Sequence, residues 1–514
     1  MSNATKIFFT LVFCSLCLFS TLGGRTLENM DYFKYAEIGR EVLEFNSWTI
    51  LHYNGGIYVD KPPFHYWNVA LSYMAFGVNT FAARFPSALF ALITLLIVLF
   101  FTLRETGSLD AGILSCLILL SSYGFFFFSH RTRVDIEYGA FFSLSLVTFY
   151  AGMKEARCRS LMFSLFWLFT GIGFMYKGPV IFLNLAVVIA YWLLAIKKGF
   201  SYAPVKPFLL TLPLVILPAV PWLYKLFKHK DFLQYVAIFQ DKEIMKRNAG
   251  IFYYIPELIK KFSPALLFLP VFYKALKTEL HKDKNTEAFI WFLLIWFGSI
   301  FLLLHIPAAK THRYLIPIYP PLAILAGWGI AIAVRDGLYK QFLHWSGAAL
   351  SAGAACFFMA LPFIVWKKYG LALLPFIMSF LMLTAVYISW KKNLARIFIL
   401  FLCIPMIYLY IDFFSALRND KTSEAFNVHA VLTKNGIQAD ELVLFKDCGR
   451  TRALNSFYFN KLLPCVDTIE DIQKFKAVLV EDENFNEITL PGYREFTVDA
   501  HKSIGKDIHL LIRQ

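Results

Sequence analysis

Charge is what this chain has least of. Of its 514 residues only 17% are Asp, Glu, Lys or Arg, against 58% hydrophobic and 18% aromatic. With a mean hydropathy of +0.56, that balance excludes an ordinary soluble enzyme and fits a polytopic membrane protein. No basic domain and no aromatic-basic stripe stands apart from the apolar runs, so nucleic acid is excluded as a partner. The net charge of +15 is assigned to membrane topology instead. Cysteine builds no framework. Cys14, Cys17, Cys116, Cys356 and Cys403 fall in apolar runs, where a thiol acts as a small hydrophobe, and Cys14-x-x-Cys17 inside a helix is no credible metal or redox site. Cys448 and Cys465 lie in a polar tail, where an oxidising compartment permits a disulfide. Internal repeats and low-complexity tracts are also missing.

Runs of roughly 17–25 residues without charge are long enough to cross a hydrocarbon core. They predict a mainly α fold with about thirteen transmembrane helices. These lie at 7–24, 84–103, 110–129, 136–153, 160–176, 179–196, 207–224, 263–276, 288–306, 314–334, 342–366, 371–389 and 397–416. Residues 7–24 read as a retained first helix rather than a cleaved signal peptide. Basic residues cluster in alternate loops: Lys154, Arg157 and Arg159; Lys197, Lys198 and Lys206; Lys274 to Lys284; Arg335 and Lys340; Lys391 to Arg396. Placing these loops and the N-terminus inside sends the C-terminus outside. Residues 1–416 then form the membrane domain and 417–514 a small outer α/β domain. The first outer loop, 25–83, is expected to hold interfacial helices over 32–44 and after Pro63. A further interfacial segment follows at 228–262. In the tail, a helix is expected at 423–434 and strands at 442–445, 477–480 and 508–511.

What charge there is gathers in four short breaks that this topology places on the outer face. They are Asp31 with Lys34; Asp60-Lys61-Pro62-Pro63; Arg131-Thr132-Arg133-Val134-Asp135; and Lys310-Thr311-His312-Arg313-Tyr314. A carboxylate at an interface can take the proton of an acceptor hydroxyl. Cations nearby can hold a phosphate and stabilise the charge of its departure. Asp31 and Asp135 are candidates for the first role; Lys34, Lys61, Arg131, Arg133, Lys310 and Arg313, with Tyr314, for the second. Each has a plainer reading: Asp31 as a helix cap, the cations as snorkelling residues, Asp135 as a structural ion pair, Asp60 as part of a turn. Asp60 and His312 are weak metal candidates. A transporter would place its charges near the bilayer midplane, and the mid-membrane segments here are nearly free of them.

Several of these segments resemble a known family. Asp31-Tyr-Phe-Lys34 with the residues to Val42, Gly55-Gly56, Tyr58-Val-Asp-Lys-Pro-Pro-Phe-His-Tyr-Trp67, Phe81-Ala-Ala-Arg-Phe-Pro86, Lys177-Gly178-Pro179 and Arg313-Tyr-Leu-Ile-Pro-Ile-Tyr-Pro-Pro321 look like the aminoarabinose transferases of lipid A. These group with the protein O-mannosyltransferases in the GT-C class of membrane glycosyltransferases. The resemblance implies that Asp31 is the principal catalytic carboxylate and that Lys34 and Lys61 bind a lipid phosphate. It also implies that Asp60 can join a metal site and that Asp135 is the carboxylate at the outer end of the fourth helix. Two departures stand out: lysine replaces the usual arginine at Lys34, losing its bidentate fork, and Tyr32 replaces a glutamate. The implied reaction moves a sugar from a polyprenyl-phosphate donor to lipid A or another envelope glycolipid at the periplasmic face of a bacterial inner membrane. No cofactor is required, although a divalent cation is compatible. Protein O-glycosylation, or transport of an anionic lipid, are the alternatives.

Overall fold

The computed structural model describes residues 2–338 except 25–26, 28–29, 200–204, 241–249 and 264. It also describes 424–513 except 447–448, 486–487, 489 and 499–507, with short stretches between 340 and 411. The helices expected at 342–366 and 371–389 fall largely outside the described residues; of the one expected at 397–416, residues 401–409 are described and helical.

Helix α1 (Asn3–Phe19) starts on Ser2, whose hydroxyl accepts the Thr5 amide. The first loop then supplies α2 (Met30–Glu44), strands β1 (Leu51–Tyr53) and β2 (Gly56–Tyr58), and α3 (Phe64–Phe76). The hairpin is absent from the sequence expectation, although it carries a signal. Asn54 and Gly55 both take positive φ, 54° and 78°, as a two-residue type I′ turn requires.

Apolar segments then follow as helices, because backbone groups shielded from water must satisfy one another. They are α4 (Thr80–Thr106), α5 (Leu109–Ser121), α6 (Tyr123–Ser129), α7 (Val134–Lys154), α8 (Arg159–Lys177) and α9 (Leu183–Lys198). After these come α10 (Val205–Leu210), α11 (Val220–Lys228), α12 (Phe232–Gln240), α13 (Tyr254–Phe262), α14 (Leu269–Glu279), α15 (Lys284–Leu304) and α16 (Tyr319–Arg335). Among the described residues, five helical stretches are long and apolar enough to cross a membrane, or six if α5 and α6, bent by 70°, count as one. The span expected at 207–224 is broken into α10, a 3-10 turn and α11. Pro213, Pro218 and Pro221 lie in that interval and remove amide donors that a continuous helix needs. Where α16 meets α5, a Cβ on Gly327 would come within 2.4 Å of the Ser115 amide nitrogen, so only glycine permits that approach.

The C-terminal segment forms α17 (Glu424–Lys434), β3 (Leu442–Phe445), α18 (Arg450–Phe459), β4 (Cys465–Val466), β5 (Ala477–Glu481), β6 (Tyr493–Val498) and β7 (Ile508–Arg513). The sheet runs β4-β3-β5-β7-β6, parallel at β4/β3/β5 and antiparallel beyond. Strands β4 and β6 lie outside the sequence expectation, being short or strongly polar. Cys465 is disulfide-bonded; Cys448 lies outside the described residues.

Helix α18 docks on the first loop. Ala453, Leu454 and Phe457 join Tyr32, Phe33, Ala36, Val69 and Tyr73 in one buried cluster. Beside it, Arg40 makes a bidentate pair with Glu37 at 2.7 and 2.8 Å and reaches Glu44 at 2.8 Å. Glu44 accepts the Leu462 amide, and Arg452 donates to the Asn54 carbonyl. Glu41 accepts the Gly55 amide. Burial, followed by the neighbouring Glu37 charge, pushes the Glu41 carboxyl up to about 8.

A raised carboxyl contributes stability that is complete below its unfolded value of about 4.3 and is lost as pH rises through its folded value. The thermal midpoint of the wild-type protein is therefore expected to fall between pH 7 and 9 more steeply than that of Glu41→Gln. Identical slopes in the two proteins would contradict this assignment.

Candidate functional site

The N-termini of α3 and α7, the C-terminus of α8 and the buried face of α2 bring the polar clusters together. Asp135 lies in the first turn of α7, where a helix N-terminus favours negative charge. Its carboxylate accepts Lys177 Nζ at 2.6 Å and Arg133 Nε at 3.1 Å. All three side chains are buried, so these are charge-assisted contacts with little competition from water. Arg313 and Lys61 lie within electrostatic reach of the same carboxylate. Asp135 is thus a shared counter-ion around which cations are arranged.

Lys61 precedes the stiff Pro62-Pro63 pair. Its ammonium donates to the Tyr35 hydroxyl at 2.7 Å and to Asp60 Oδ2 at 3.3 Å. Burial works against its charge, but Tyr35 and Asp60 outweigh burial and hold Lys61 above the ordinary lysine value. Asp60 also accepts the Tyr58 hydroxyl at 3.1 Å, and Tyr66 donates to Tyr58 at 3.0 Å.

Aromatic rings carry the other cations. Lys34 sits over Tyr58 and Tyr53, at 4.8 and 5.4 Å from the centroids. Arg133 faces Tyr35 and Tyr32 at 5.6 and 5.8 Å. Arg131 faces Phe127 and Tyr32 at 4.6 and 5.8 Å and donates to the His130 carbonyl. Lys177 lies between Tyr314 and Tyr138, at 4.7 and 4.9 Å, while Arg313 is 6.0 Å from the Tyr314 ring. Cation–π contact holds a charge in place without neutralising it.

The structure therefore groups Lys34, Asp60, Lys61, Arg131, Arg133, Asp135, Arg313 and Tyr314. Lys310 is buried just ahead of the 3-10 turn His312–Ile318. His312 stacks on Phe128, with centroids 5.4 Å apart. Asp60 and His312 join no group of three or more His, Cys, Asp or Glu side chains among the described residues. Asp31 occupies the first turn of α2; its side chain lies outside the described residues. Sequence reasoning left Lys177, Tyr35, His65 and Glu137 out of the site. Lys177 was legible: it ends an apolar run before Gly178-Pro179. Tyr35 and His65 looked like ordinary faces of amphipathic helices.

Residues 60–224 match the family described as dolichyl-phosphate-mannose-protein mannosyltransferase. The undecaprenyl phosphate-alpha-4-amino-4-deoxy-L-arabinose arabinosyl transferase of Edwardsiella ictaluri is 30% identical over 328 residues, 62% of this chain and 58% of that protein. The protein of the same name in Pectobacterium carotovorum is 29% identical over 409 residues, 74% of this chain and 71% of that one. Crystal structures of ArnT from Cupriavidus metallidurans superpose over almost the full length. The apo form has a TM-score of 0.75 at 20% identity, covering 99% of this chain and 98% of that one. The form bound to undecaprenyl phosphate has a TM-score of 0.77 at 19% identity, with the same coverage. The chain has the fold of ArnT. Its apolar helices make it an integral membrane protein.

Proposed function

We propose that this protein is a glycosyltransferase that moves a sugar from a polyprenyl-phosphate donor to lipid A or a related envelope glycolipid. The observation that carries this reading is the cationic cluster gathered on one buried carboxylate, Lys61, Arg133, Lys177 and Arg313 around Asp135, within an ArnT-like fold. Such a cluster suits a phosphate monoester leaving group, which the relatives' name and the undecaprenyl phosphate bound in the Cupriavidus structure also suggest. Membrane lipids surround the site, and the donor's polyprenyl tail would lie among them. We place the site on the periplasmic face of the inner membrane, with about thirteen spans in all by the length rule.

In the proposed reaction the bond between the anomeric carbon and the phosphate oxygen breaks, and a bond to the acceptor oxygen forms. Lys61, Lys34, Arg131 and Arg133 take up the charge that develops on the departing polyprenyl phosphate. Asp31 removes the proton when the acceptor is a hydroxyl; for a phosphate acceptor, already ionised, it positions the nucleophile. Asp135 holds Lys177 and Arg133 in place and does not itself accept a proton. This chemistry requires no metal, and a divalent cation at Asp60 would be an addition to it.

The test is mass spectrometry of envelope glycolipids from cells carrying the wild-type protein, Asp31→Asn or neither. A sugar-sized increment that needs Asp31 is expected. The match of residues 60–224 to the protein mannosyltransferases makes glycoproteins the second place to look. Unchanged glycolipids together with a sugar on protein would replace the lipid acceptor by a polypeptide.

A further inference from the structure

A hydrogen bond joins the two segments that carry Lys61 and Asp135. His65, in the first turn of α3, places Nδ1 2.6 Å from Oε2 of Glu137, in the first turn of α7. Both side chains are sealed from solvent, at 1% and 0% exposure. His65 Nε2 and Glu137 Oε1 are also buried, with no hydrogen-bond partner among the described residues. A buried polar atom left unpaired costs on the order of 1–3 kcal/mol, and well-packed apolar residues often replace a buried ion pair without loss. Stability alone would therefore favour an apolar pair at this junction. A geometric demand explains a polar one.

The neighbours show what is being placed. His65 meets Tyr35 edge-on, 5.4 Å between centroids. Tyr35 accepts the Lys61 ammonium at 2.7 Å, and Arg133 faces the same ring at 5.6 Å. Lys61 reaches His65 through Pro62 and Pro63, whose φ angles are fixed by their rings. Glu137 follows Asp135 on the same rigid helical turn. Sliding His65 against Glu137 would thus shift Lys61 against Asp135, Lys177 and Arg133.

We propose that the His65–Glu137 hydrogen bond is a positioning pair: it sets the Lys61 ammonium at the distance from the Asp135–Lys177–Arg133 cluster at which one phosphate meets all the cations. The pair acts through Lys61 and does not touch the donor. This inference rests on the reading of Lys61 as a phosphate ligand.

The experiment uses the full-length protein in lipid nanodiscs and the affinity for a polyprenyl phosphate as the readout. The double variant His65→Leu/Glu137→Leu removes both polar groups at once, so no buried charge is orphaned and the protein is expected to fold. Its Kd should rise about tenfold, equivalent to about 1.4 kcal/mol. In a Lys61→Met background the same pair of changes should cost less than about twofold, because a residue acting through Lys61 has nothing left to act on. Glu137→Gln, which keeps a hydrogen-bond partner for His65, should stay within about threefold of wild type. An unchanged Kd in the double variant overturns the proposal, and so does an equal penalty with and without Lys61. Failure of the wild-type protein to bind polyprenyl phosphate would overturn the functional reading beneath it.

Discussion

Asp135→Asn is expected to reduce sugar transfer by at least about a hundredfold, the scale seen when a group that organises transition-state charge is lost. The carboxylate is buried and is shared by Lys177 at 2.6 Å and Arg133 at 3.1 Å. An asparagine leaves both cations facing a neutral amide, and breaking a buried pair by removing one partner costs about 3–5 kcal/mol. Low activity could then reflect a shortage of folded protein. Transfer should therefore be measured per folded molecule, with the folded fraction taken from size-exclusion chromatography. Asp135→Asn/Lys177→Met, which removes one of the stranded cations, should recover much of the folded yield while transfer stays low. An Asp135→Asn protein that folds and transfers at the wild-type rate would show that Asp135 does not organise the cations.

Lys61→Met should lower kcat/KM for the polyprenyl-phosphate donor by about 10- to 100-fold, the equivalent of one hydrogen bond between charged groups, about 1.5–3 kcal/mol. Its ammonium is already held by the Tyr35 hydroxyl and Asp60, so binding phosphate requires little further ordering of the side chain. The folded yield should change little, because methionine fills the space of the lysine stem. Lys61→Arg should restore only part of the activity: the charge returns, but a planar fork cannot reproduce the contact of a compact ammonium with Tyr35. Wild-type donor kinetics in Lys61→Met would remove Lys61 from the phosphate site.

These two residues also show how far the sequence could be read. Lys61 and Asp135 stand out in it because a charge beside an apolar run is costly and therefore conspicuous. Their roles diverge for a reason that linear spacing does not hold. Asp135 reads in the sequence as base or as ion pair, and the fold brings Lys177, forty-two positions later, onto it. Lys34 and Lys61 read as a pair of phosphate ligands, whereas the fold seats one over Tyr58 and Tyr53 and hydrogen-bonds the other to Tyr35. Tyr35 had looked like one more apolar position on the face of α2. His65 and Glu137 gave no signal, since a lone histidine in an aromatic run and a second carboxylate in a helical turn both have ordinary explanations.

Helix by helix, the same division holds. Hydrophobic run length was enough to place α4, α8, α9, α15 and α16, because every backbone group in such a run must bond within its own helix. It also found the stretch Val205–Lys228, which stays long and apolar enough to cross although a 3-10 turn interrupts it, but overestimated continuity at 110–129, which bends by 70° between α5 and α6. The sequence by itself determined a membrane protein with its charges in a few short breaks, because those properties depend only on composition and local order. Tertiary structure decided which cations share Asp135, which rings hold the rest, and that α18 braces α2. Those are contacts between residues tens to hundreds of positions apart, set by the packing of helices against one another and carrying no mark in the segments that make them.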